Sequence, residues 1–74
     1  MAVKVSNKLK IIRMAGHLEN IKEFSKRLGI DERQYSRYES GAVVPSLESA
    51  LKIAITLDKS VEEIWMLEDV DTSP

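Results

Sequence analysis

Apolar residues along this 74-residue chain recur at intervals of three and four, in five short blocks, without sustained alternation. That spacing predicts helices and no strands. The first block runs from Asn7 to Ala15, with Ser6 as cap, Leu9, Ile12 and Ala15 on one side, and Gly16 as the stop. The second opens at Asn20, whose side chain and that of Glu23 have capping-box spacing, and it turns Ile21, Phe24 and Leu28 inward. It ends at Gly29, a residue suited to the left-handed position after a helix. The third has Asp31 as cap, Gln34 three residues on, Tyr35 and Tyr38 inside, and Gly41 as its end. Residues 42–45 read as a loop. In the fourth, Ser46 is the cap and Leu47, Ala50, Leu51, Ala54 and Leu57 form the apolar stripe. Ser60 and Glu63 make a second capping box for a short fifth helix carrying Val61, Ile64, Trp65 and Leu67. The expected fold class is all-α, a five-helix orthogonal bundle. Residues 1–6 are expected to be an arm, 7–67 the domain, and 68–74 a flexible acidic tail.

Length changes the picture in one respect. A core built from 74 residues is marginal, so a partner subunit is a natural source of further stability. Cysteine is absent, which leaves no disulfide framework and no thiolate metal site. His17 stands alone, so no metal centre and no cofactor are expected. No stretch is apolar for long enough to span a bilayer or serve as a secretory leader, and a soluble, cytoplasmic protein is expected.

The net charge of −1 hides an asymmetry. Up to Tyr38 the chain carries nine Lys and Arg against four acids; from Glu39 onward it carries two against eight. The halves are therefore +5 and −6, a dipolar arrangement with one part suited to a polyanion. Solvated helix surfaces with an acidic tail would give the same totals.

The connection between the second and third blocks is more specific. Only Leu28, Gly29, Ile30 and Asp31 separate them, which is the spacing of a helix-turn-helix. Ser25 is small enough for two helices to cross over it, Gly29 can take positive φ, and Leu28 and Ile30 can point inward. The third helix then presents Glu32, Arg33, Gln34, Ser36 and Arg37 outward.

The run Phe24-Ser25-Lys26-Arg27-Leu28-Gly29-Ile30, then Tyr35-Ser36-Arg37-Tyr38-Glu39-Ser40-Gly41, then Pro45-Ser46-Leu47 resembles the Xre/Cro-type, lambda-repressor-like helix-turn-helix family of phage and bacterial repressors. The resemblance covers roughly Asn7 to Leu67. It implies a recognition helix in the major groove, with Glu32, Arg33, Gln34 and Arg37 reading bases. It places Asn20, Lys22, Ser36 and the amides of Ala42 and Val43 against the DNA backbone. It pairs Arg13 with Glu39 in a structural role. Three positions depart from the family pattern. Ile21 stands where glutamine commonly contacts a phosphate and buttresses the readers, after a loop (Gly16 to Asn20) one residue longer than usual. Tyr35 replaces Ile or Val, and Glu32 brings a negative charge toward the duplex.

Trp65 has two readings: it closes the core, or with Ile64 and Leu67 it forms a dimer contact to which Val43 and Val44 add. The second is the expectation adopted. Catalysis is not expected. Ser36 has no histidine base near it, Glu63 is a cap on a different side of its helix from Glu62, and the three glycines build no phosphate loop. The expected function is a transcriptional regulator, a repressor binding double-stranded DNA as a homodimer on a palindromic operator. The alternative is a protein-interaction module on the same scaffold, antitoxin-like or antirepressor-like, with a regulatory protein as partner.

Overall fold

The computed structural model describes residues 3–17 and 20–69. In chain order these are β1 (Val3–Asn7), α1 (Leu9–Ile12), a wider π turn (Arg13–His17), α2 (Ile21–Leu28), α3 (Glu32–Ser40), α4 (Leu47–Thr56), α5 (Val61–Ile64) and β2 (Trp65–Asp69). The fold is mostly helical, but not all-α. β1 and β2 pair antiparallel, with Val5 opposite Leu67 and Asn7 opposite Trp65. The expected arm is thus a strand over residues 3–7. The expected fifth helix stops at Ile64, and the expected tail is strand through Asp69. The remainder of that tail, residues 70–74, and Leu18 and Glu19 of the loop before α2 lie outside the described residues.

Local chemistry explains most element ends. The Asn20 side chain accepts from the Glu23 N–H at 2.8 Å, and Asp31 accepts from the N–H groups of Arg33 and Gln34. Ser60 and Glu63 form a reciprocal box: the Ser60 amide donates to Glu63 Oε1, and the Glu63 amide donates to Ser60 Oγ. These contacts satisfy donors that a helix start leaves without partners. The first helix departs from expectation. Ser6 is not its cap; Asn7 Oδ1 accepts from the Leu9 N–H at 3.0 Å. Asn7 also donates to the carbonyl of Tyr38 at 3.0 Å, tying the end of β1 to the end of α3.

The core contains Leu9, Phe24, Tyr35, Tyr38, Ala50, Ile53, Ala54, Ile64 and Trp65. Phe24 and Tyr35 meet edge to face with ring centroids 5.5 Å apart, which locks α2 against α3. Ser25 is buried at the crossing, and its hydroxyl donates back to the Lys22 carbonyl. Gly29 takes φ 71°, and the Ile30 amide then closes on the Ser25 carbonyl. The stripe on α4 is rotated from the expected one. Ala50, Ile53 and Ala54 face inward, while Leu47, Leu51 and Ile55 are 71%, 46% and 78% exposed.

Candidate nucleic-acid interface

Glu32, Arg33, Ser36, Arg37 and Ser40 fall along one side of α3, at the spacing that puts residues four apart on one face. With Asp31 and Ile21 they line a shallow, open groove between the start of α2 and the outer face of α3. All of the α3 members are exposed. The groove therefore offers two guanidinium forks, two carboxylates, two hydroxyls and one aliphatic edge.

Gln34 is not among them. It is half-buried on the side of α3 that faces α4, and its amide donates to the Tyr38 hydroxyl at 3.0 Å. Asp31 caps the helix as expected, its carboxylate accepting from the amides of Arg33 and Gln34. The remaining backbone candidates divide in the same way. Asn20 and Lys22 are exposed at the start of α2. The amides of Ala42 and Val43 are already engaged, with Ser40 Oγ at 3.4 Å and the Arg37 carbonyl at 3.3 Å. Val43 is tied in this way to the residue that carries one of the two arginine forks.

Behind the groove, α3 is clamped to the first helical segment. Arg13 Nε and Nη2 donate to the two Glu39 carboxylate oxygens, each at 3.0 Å, and the Tyr35 hydroxyl donates to Oε2 at 2.5 Å. The Arg13 and Glu39 side chains are 11% and 9% exposed. Burial pushes the Glu39 carboxyl up, but the Arg13 guanidinium and the Tyr35 hydroxyl outweigh it and hold its pKa below the usual value. The same contact holds Arg13 above its ordinary value, and burial followed by the neighbouring carboxylate pushes Tyr35 up. The hydroxyl of Tyr35 thus points into the clamp and not toward the groove. Arg13 and Glu39 were legible as a pair; the third member was not.

A helix-turn-helix family model matches residues 9–64, most of the chain. This chain belongs to the Xre/Cro-type helix-turn-helix family. Comparison with curated proteins and with solved structures gave no match. As a helix-turn-helix protein it is a DNA-binding domain of the transcription-regulator class. No helix among the described residues is long and apolar enough to cross a membrane, and no cluster there has the composition of a metal site.

The expected dimer contact needs correction in this helix-turn-helix domain. Ile64 is 0% exposed and Trp65 9%, so both lie in the chain's own core. Leu67 is 71% exposed, and with the edge of Trp65 it borders a surface hollow beside Val5, Glu62 and Met66. Val43 and Val44 in the loop, and Leu47, Leu51 and Ile55 at four-residue spacing along α4, are also exposed. Two contributors were missed from sequence: Asn7, which fixes the end of α3 from the strand side, and Ile21 as a wall of the groove.

Proposed function

We propose that the protein is a repressor that binds a palindromic operator as a homodimer, with α3 of each copy in successive major grooves. The observation that carries this reading is the single exposed face of Glu32, Arg33, Ser36 and Arg37 on a helix clamped from behind by Glu39. Arginine grips guanine O6 and N7 bidentately, and glutamate accepts from cytosine N4, so the face has the chemistry to distinguish base pairs. Lys22, Asn20 and the start of α2 would meet the phosphates and fix register. A twofold dimer would set the half-sites about 34–36 Å apart. The second copy would cover the aliphatic surface of Val44, Leu47, Leu51 and Ile55, since exposed apolar patches of this kind commonly mark interaction sites. In this reading the protein acts where the DNA is, without cofactor and without catalysis.

The rival reading, a module that binds another protein, draws on the two carboxylates in the groove, Asp31 and Glu32, which oppose phosphate binding. Anisotropy titrations over a salt series separate the two. DNA affinity that falls steeply with salt and prefers one sequence supports the repressor. Absence of DNA binding at low salt, with a one-to-one protein complex, supports the rival.

A further inference from the structure

Ile21 is the aliphatic member of an otherwise polar groove. The other residues lining it are Asp31, Glu32, Arg33, Ser36, Arg37 and Ser40. Ile21 is half-buried, packed on one side against the core and bordering the groove on the other. It is the first residue of α2, and its side chain is stiff at χ1. The edge it presents is therefore held in place before any ligand arrives.

An aliphatic edge makes no hydrogen bond, so a polar base edge or phosphate oxygen pressed against it would lose water without replacement. Its fitting occupant is apolar. In the major groove one base carries an apolar group on its edge, thymine, through the C5 methyl. We propose that Ile21 reads a thymine in each operator half-site by packing on that methyl, beside bases gripped by the α3 arginines. This rests on the DNA-binding reading above and adds to it one apolar specificity contact, placed on α2 and not on the recognition helix. Ile21 thereby selects by shape and not by hydrogen bonding.

The test uses the full chain and an operator selected from a random double-stranded pool. Each thymine of the half-site is replaced in turn by uracil, which removes the methyl and leaves base pairing intact. The expected result is one thymine per half-site whose replacement weakens the parent about fourfold, the contribution of one buried methyl-sized group. The same replacement should leave Ile21→Ala nearly unchanged, with Ile21→Val between them. Melting curves for both variants report folding separately. A selected operator at which uracil affects parent and Ile21→Ala alike, or one lacking thymine in the half-site, overturns the proposal while leaving the DNA reading intact. That includes a loss on Ile21→Ala that is the same with or without the methyl, as packing on a deoxyribose would give. A pool that yields no preferred sequence removes the sequence-specific reading and the proposal together.

Discussion

Glu39 ties the first helical segment to α3 through one carboxylate. It accepts from both Arg13 and Tyr35, and it sits on the helix that carries Arg33 and Arg37. Glu39→Ala should remove the acceptor shared by Arg13 and Tyr35 and destabilise the fold by about 1–3 kcal/mol, measurable by urea denaturation. The pH dependence follows from the sign of the shift. The folded carboxyl has a lowered pKa, so its contribution is present above the ordinary value of 4.5 and is lost as pH falls through the lowered one. Parent protein should lose stability across that acid window, and Glu39→Gln should be flatter there; equal acid slopes would remove Glu39 as the cause. On the outer face, Arg37→Ala should weaken operator binding by about 1–3 kcal/mol and relax one base position per half-site. An operator titration matching the parent would take Arg37 out of the readers. The exposed face of α3 was legible, because positions 32, 33, 36 and 37 share one side of any α-helix. By the same geometry Gln34 belongs elsewhere. The family resemblance implied a reader at that position, but the hydroxyl of Tyr38 one turn on gives its amide a partner inside the protein.

Among the elements, the helices were legible and the strands were not. Caps at Asn20, Asp31, Ser46 and Ser60 and left-handed glycines at 29 and 41 mark helix ends by local chemistry, which a sequence displays. β1 and β2 are five residues each and come from opposite ends of the chain. The alternation in Val3-Lys4-Val5-Ser6 is too short to stand out, and only the distant partner gives it meaning. The same pairing takes Trp65 out of the fifth helix and into the core. The α4 stripe was misjudged for a different reason: apolar residues occupy both sides of that helix, so spacing alone leaves two possible inner faces. Beyond α4, Asp58 holds a left-handed φ of 57° without being glycine. A left-handed L-residue costs about 1–2 kcal/mol, and glycine's extra unfolded freedom returns about 0.5–1 of that. Aspartate tolerates this region better than most, so Asp58→Gly should stabilise by up to about 1 kcal/mol and raise Tm by up to about 8 °C in thermal melts.

At the scale of the whole molecule, charge divides along the chain. The basic half of the chain includes the groove arginines and the start of α2; the acidic half includes α4, α5 and β2. The aliphatic surface on α4 adjoins the loop hydrogen-bonded to Arg37, so a second copy seated there would lie beside the reading face. Leu51→Glu with Ile55→Glu, both exposed in the single chain, should leave the fold intact and shift sedimentation toward monomer; a monomeric parent would remove the α4 dimer. The most direct test of the central claim is equilibrium binding to a selected operator and to random DNA, followed over a salt series. The account predicts tighter binding to the operator and affinity that falls steeply and linearly in log–log form as phosphate contacts release counterions. Equal, salt-insensitive association with both DNAs, or none at low salt, would contradict it.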